Sequence, residues 1–284
     1  MKYLLWMILL VCVKAQAVTV KDDRGVAVRF DIPPQRIVSA LPSLTESVCA
    51  LQACNKLVGV DRYSNWPAQV KKLPQVGGGL DLNIEAIVRL KPDVVLLATS
   101  SRAGQRLESL GIKVLMLEPQ SHADVRRSLL LLSQMLSTQN GEAAWQAIER
   151  GMQEAASSVP LSMKNQRVYF EVDRTPYAAG EASFIGETLQ RLGLRNIVPR
   201  QLGTFPKINP EFVVQQQPDV IMLSERHAKE LPQRPGWKQL KALQRQRVCE
   251  FTAEQGDVIV RSGPRMAEGA RVIVQCLSKL EYKK

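Results

Sequence analysis

Histidine is scarce in this chain of 284 residues, with two copies, and aromatic residues make up 5% of it. A metal cage built from side chains needs clustered His, Cys or carboxylate groups. His122 follows Ser121 at a predicted helix start and His227 sits in the charged run SERHAKE; both read as solvated surface residues. A bare zinc or manganese centre is therefore disfavoured, and no resident metal or cofactor is expected. No CxxC occurs, which argues against a thiol oxidoreductase. Neither GxGxxG nor GxxxxGK[ST] is present, and Gly77-Gly78-Gly79 reads as a tight loop rather than a phosphate cradle. No GxSxG elbow exists, and Ser43 has no histidine near it in sequence, so no catalytic constellation emerges. Finger spacings and aromatic-rich RNA-binding signatures are missing too, against a nucleic-acid partner.

Long apolar runs are missing as well. Leu4 to Val13 is too short to span a bilayer and no stretch of 18 uncharged apolar residues follows. With Lys2 before it and Ala15-Gln16-Ala17 after it, the run reads as a secretory signal peptide cut after Ala17. Leu10-Val11 lacks the small residue expected beside a lipidated Cys12. Removing residues 1–17 takes away Lys2 and Lys14 and no acid, lowering the formal charge from +11 to +9. The remaining basic residues are scattered and read as a solvated surface. Export permits disulfides among Cys49, Cys54, Cys249 and Cys276. The near pairs are Cys49–Cys54 and Cys249–Cys276, although spacing alone leaves the connectivity open.

What is present is a repeat. NIEAIVRLKPDVVLL (83–97) and NPEFVVQQQPDVIML (209–223) share Asn83/Asn209, Glu85/Glu211, Val88/Val214, Pro92/Pro218, Asp93/Asp219, Val94/Val220 and Leu97/Leu223. Each copy reads as an Asn-capped short helix with an acid in its first turn, a Pro-Asp breaker, and a buried parallel strand. The flanks repeat too. Predicted strands at 36–41 and 167–172 are followed by helices near 43–53 and 183–192. Strands at 57–60 and 196–198 come next. After each Pro-Asp strand comes a helix (102–110; 237–243) and a further strand (113–117; 247–252). Each half is thus β-α-β-α-β-α-β, a parallel sheet covered by helices. Between the halves, 121–136 and 140–157 read as helices, the second with Trp145, Ile148 and Met152 on one face. At 1.5 Å per residue that helix spans about 25 Å. We expect an N-terminal α/β lobe over 18–136, a stiff backbone helix over 137–160 and a C-terminal α/β lobe over 161–284, with a cleft between the lobes.

Ligands of open parallel sheets bind outside the carboxyl ends of the strands. The loops there carry Tyr63, Trp66, Tyr177 and Phe205, with Arg62, Arg174, Arg261 and Arg265; the segment Thr252 to Arg265 reads as one of these loops. Aromatic faces with a few polar groups suit a large flat ligand. Trp66, next to Pro67, has the strongest claim to a purely structural role. Glu85 and Glu211, at matched positions in the two halves, suit a partner that is itself two-fold symmetric.

The stretches RIVSALPSLTESVCALQACNKLVGVDRYSNWP and PQVGGGLDLNIEAIVRLKPDVVLL resemble the substrate-binding proteins of ABC importers for cobalamin, siderophores and haem, and most of all their cobalamin-binding branch. The likeness runs from about Arg36 to Leu280. It implies two Rossmann-like α/β lobes with parallel sheets joined by a long rigid backbone helix, and a periplasmic, non-catalytic, monomeric carrier. It implies that Glu85 and Glu211 dock on the permease dimer that works with an ATPase, and that Tyr63, Tyr177 and Phe205 line the cleft. Arg261 or Arg265 would bond the ligand's polar periphery. The chain departs from the pattern at Gly77-Gly78-Gly79 and at Thr99-Ser100, where cobalamin binders carry tryptophans. Haem-binding relatives have a tyrosine near Gly78. A corrinoid is the first ligand expected, with a ferric siderophore or haem in the same role as the alternative. An exported chelatase-like enzyme acting on a tetrapyrrole, or a sensor that kept the fold, are the readings from other classes.

Overall fold

The computed structural model describes residues 17–79, 81–174 and 176–281. All of the expected signal segment but Ala17 lies outside the described residues. None of the described helices is long and apolar enough to cross a membrane.

The chain opens on a hairpin that was not expected, β1 (Val18–Lys21) and β2 (Ala27–Phe30), paired antiparallel. Its turn is built by Asp22, whose carboxylate accepts from the amides of Arg24 and Val26, both at 3.0 Å. The alternation in VTVK and AVRF around Asp-Arg-Gly is the local signal for it.

The first sheet contains β3 (Ile37–Ser39), β4 (Leu57–Val60), β5 (Val94–Leu97) and β6 (Val114–Met116) in the order β4-β3-β5-β6, all parallel. Helices α1 (Pro42–Ala50), α2 (Ile84–Arg89) and α3 (Gly104–Ser109) connect these strands. Next come α4 (His122–Leu136), with a capping box between Ser121 and Asp124, and α5 (Gly141–Ser157). The second sheet holds β7 (Arg167–Asp173), β8 (Tyr177–Ala178), β9 (Arg195–Asn196), β10 (Val220–Ser224) and β11 (Val248–Phe251). Here β9, β7, β10 and β11 repeat the parallel order of the first sheet, and β8 is an added antiparallel edge on β7. Helices α6 (Phe184–Arg191), α7 (Pro210–Gln216), α8 (Glu225–Ala228), α9 (Lys241–Gln244), α10 (Ala253–Val260) and α11 (Met266–Glu281) complete the chain. The helix expected over 237–243 is instead a 3-10 turn (Trp237–Gln239) followed by α9.

The duplication extends to atomic detail. Asn83 accepts from the amide of Ala86 and Asn209 from that of Glu211, capping α2 and α7. Lys91 and Gln217, one residue before each Pro-Asp, both take left-handed backbone conformations, φ 46° and 45°. The Asp93 carboxylate then accepts from the amide of Arg36 at 2.8 Å, and that of Asp219 from the amide of Arg167 at 2.9 Å. In both halves the Pro-Asp step ends the helix and ties the incoming strand to its neighbour, which is why both residues are needed together.

Side-chain alternation sets the packing. Val94 and Leu96 of β5, with Val220 and Met222 of β10, turn into one large apolar core that also takes in Trp145, Ile148 and Met152 of α5 and Ile273 and Leu277 of α11. Val95 and Leu97 face a separate core under α2 and α3. Ile221 and Leu223 face the equivalent core under α7 and Trp237. The apolar face of α5 is therefore seated in a core common to both sheets. A helix held in this way resists bending, as expected of a strut between two α/β lobes.

Disulfides join Cys49 to Cys54 and Cys249 to Cys276, the two near pairs.

Candidate ligand-binding site

Three sets of contacts bring the carboxyl ends of the two sheets face to face. After β3, Ser43 lies against Gly263, where an added Cβ would come 3.3 Å from the Ser43 Cβ. After β6, the Gln120 carbonyl accepts from the amide of Phe184 at 2.7 Å, and the amide of His122 donates to Glu187. After β4, the loop carrying Tyr63 meets α10 through Asn65, whose side-chain amide donates to Asp257 at 2.8 Å.

Tyr63 stands above this junction with 59% of its surface exposed. Its amide donates to the buried Asp61 carboxylate at 2.9 Å, and Asp61 also accepts from the Ser64 hydroxyl. Thr45 and Ser39 continue this buried hydroxyl chain. Burial pushes the Asp61 carboxyl above the usual range, offset in part by these donors. The glycine run forms a tight loop beside the ring, as expected. Gly77 has φ +101° and an added Cβ there would sit 2.5 Å from the Asp81 carbonyl; at Gly78 it would reach 3.1 Å from the Tyr63 ring. Arg62 is held by Asp81.

On the opposite lobe Tyr177, 41% exposed, bridges to Lys207 in a short antiparallel pairing. Its loop is sewn to the next one: the amide of Gly180 donates to the Thr204 carbonyl at 2.8 Å, and a Cβ on Gly180 would lie 2.2 Å from the Gly203 carbonyl oxygen. That close approach places Phe205 edge-to-face on Phe184, with ring centroids 6.1 Å apart and the Phe205 side chain half-buried. Tyr63 and Tyr177 thus present aromatic surface to solvent, one from each lobe, while Phe205 is half-buried against Phe184.

The remaining expected contacts are placed differently. Segment 252–265 is not a loop: Thr252 and Gln255 form a capping box that starts α10, and Arg261 follows its last turn. The Arg261 side chain is 8% exposed, and both terminal nitrogens are committed to Glu46, Asn65, Tyr63 and Asp257 of the protein itself. The four N–H groups of its terminal nitrogens are therefore spent within the protein. Arg265 lies over the Trp66 ring at 4.8 Å and bonds Glu268. The two line a flank cavity of about 370 Å³ together with Asn65, Lys71, Asp257 and Glu268. Trp66 and Arg265 therefore pair with each other. Glu46, which sequence reasoning missed, is 1% exposed, and burial raises its pKa although Arg261 opposes the shift.

His122 corrects the expectation of a solvated residue: it is 7% exposed, between α4 and α6. Its Nε2 lies 3.1 Å from the Phe184 carbonyl and 2.9 Å from the Thr188 hydroxyl, and its Nδ1 is 3.3 Å from the Arg191 guanidinium. Nδ1 must accept there, since a second N–H would meet a cation. Burial foremost, and Arg191, hold the ring neutral below its ordinary value of 6.5, against the pull of Glu187 and Glu149. The folded state then binds fewer protons than the unfolded one, so stability falls as pH drops through 6.5 toward the lower folded value. Melting temperatures across this range should show the fall, and His122→Asn should flatten it.

Glu85 and Glu211 are exposed in the first turns of α2 and α7, and neither has an ion-pair partner among the described residues. Among those residues no group of three or more His, Cys, Asp or Glu could hold a metal ion.

Two α/β lobes of matched strand order, closed on a shared core and open at aromatic strand-end loops, define a two-lobed solute-binding protein. The chain belongs to the periplasmic binding protein family, whose model matches residues 37–254. It is 29% identical over 94% of its length to the uncharacterized ABC transporter substrate-binding lipoprotein YvrC of Bacillus subtilis, covering 87% of that protein. It is 26% identical over 87% of its length to a vitamin B12-binding protein of Pectobacterium atrosepticum, covering 90% of it. Among solved structures, that of "a possible an iron-binding (periplasmic solute-binding) protein" from Staphylococcus epidermidis matches at TM-score 0.75 and 26% identity, over 86% of this chain and 99% of that one. These relatives are named as substrate-, vitamin- or solute-binding proteins, the class that the resemblance implies.

Proposed function

We propose that this chain is an exported, non-catalytic carrier that takes up a bulky metal-chelate, a corrinoid first, and hands it to an ABC importer. The observation that carries this reading is the pair of exposed rings from opposite lobes, Tyr63 on the loop after β4 and Tyr177 in the edge strand β8. Phe205 extends the same surface. Flat macrocycles offer faces for such rings, and each aromatic contact contributes about 0.5–1.5 kcal/mol beyond area burial. The chelate is cargo, and no resident cofactor is part of the proposal. The likeness to a vitamin B12-binding protein supports a corrinoid. The S. epidermidis structure supports a ferric chelate as the second ligand. Haem has less support, because glycine stands at 78 where the resemblance places its tyrosine. An enzymatic reading is weaker still: His122 is buried against Phe184 and Thr188 rather than open to the cleft. Glu85 and Glu211 would meet basic residues of the two permease subunits, and the protein would work as a monomer in the periplasm.

Calorimetric titration with cyanocobalamin, a panel of ferric siderophores and hemin tests the reading. Saturable one-to-one binding of cyanocobalamin is expected. Tyr63→Ala and Tyr177→Ala should each weaken it about tenfold. No heat with any of the three classes would refute the carrier assignment.

A further inference from the structure

The Tyr63 peptide is held from both sides of the cleft. Its amide donates to Asp61 of its own lobe at 2.9 Å, and its carbonyl accepts from Arg261 of the other lobe at 3.0 Å. Two residues on, the Asn65 side-chain carbonyl accepts from Arg261 at 2.8 Å while its amide donates to Asp257. Arg261 is in turn fixed by the carboxylate of Glu46 at 2.9 Å, a contact between residues 215 apart in sequence. The Glu46 Oε2 atom is buried and has no hydrogen-bond partner among the described residues. Arg265, at 3.8 Å from Glu46, adds a second cation of the same lobe, and Glu268 and Asp257 supply the nearby acids.

A buried ion pair with one oxygen unsatisfied contributes little net stability compared with well-packed apolar side chains. What this pair supplies is geometry. The planar fork of Arg261 presents donors in fixed directions, and Glu46 leaves it one orientation. We infer that Arg261, locked by Glu46, is a positioning residue for ligand capture: it joins the loop bearing Tyr63 to the opposite lobe and so sets where that ring stands when ligand arrives. Arg261 need not touch the ligand. Because the amide and carbonyl of Tyr63 are bonded to partners in different lobes, rotation of one lobe against the other must pull on this residue.

The inference rests on the proposed carrier function for its affinity readout, and on the loop itself for a second readout that needs no ligand. Arg261→Lys keeps the charge and removes the fork; Glu46→Gln keeps the shape and one acceptor oxygen but removes the charge that holds Arg261. With cyanocobalamin as probe, Arg261→Lys should raise Kd about tenfold in the parent protein and less than about twofold in a Tyr63→Ala background, the non-additivity expected when one residue acts through another. Glu46→Gln should show the same dependence on Tyr63. A merely structural arginine would lower the melting temperature and leave Kd unchanged, or change it equally in both backgrounds; either result overturns the inference. Hydrogen exchange of the ligand-free protein separates this from failure of the carrier reading. In Arg261→Lys the peptide spanning 61–66 should lose protection selectively, and full protection there would overturn the inference even if no cyanocobalamin binds.

Discussion

Replacing Glu85 and Glu211 together by alanine should reduce ligand uptake by whole cells to background while leaving the affinity of the purified protein unchanged. The two carboxylates occupy equivalent positions in the duplicated halves, exposed and without ion-pair partners among the described residues. Their local contribution is small, since an acid in the first turn of a helix adds about 0.3–1 kcal/mol. The fold should therefore tolerate the change. A partner with two-fold symmetry would meet both at once, and single ion pairs of this kind contribute mainly to orientation and encounter. Either single variant should retain part of the uptake. Loss of ligand affinity in the double variant would place the pair in the cleft and end the docking proposal.

Removing the Cys249–Cys276 disulfide should cost about 3–4 kcal/mol, or roughly 6 °C in melting temperature, in the chain-entropy description of cross-links. The bond ties β11 to α11 across a sequence separation of 27, against 5 for Cys49–Cys54. The shorter loop restricts the unfolded chain less, and its loss should cost about 2 kcal/mol. Cys249→Ala/Cys276→Ala and Cys49→Ala/Cys54→Ala, compared by urea unfolding, give the ranking. Equal losses would show that the entropy of loop closure does not set the difference.

Much of the architecture could be read because its determinants are local. The Asn caps, the Pro-Asp steps and the β-branched runs at 94–97 and 220–223 each act within a few residues, and their recurrence exposes the duplication. The cysteine pairs were legible as candidates for the same reason. What escaped was set by distance or by a competing expectation. Thr252 and Gln255 form a box that announces α10, yet the preceding strand made a loop the natural reading of that segment. His122 has polar sequence neighbours, and the atoms that bury it belong to Phe184 and Thr188, 62 and 66 residues away. For Arg261 the decisive partner is Glu46, so an arginine on a strand-end segment looked like a ligand contact until the fold brought the two together. Tyr63, Tyr177 and Phe205 were named from their position relative to the strands; the structure keeps Tyr63 and Phe205 outside the strands and puts Tyr177 in the short added strand β8.

The core that runs beneath both sheets makes each half dependent on the other. Val94 and Leu96 from one copy of the repeat, Val220 and Met222 from the other, and Met152 between them are dried by the same enclosure. A polypeptide cut between 136 and 141 would leave each fragment with an apolar flank open to water.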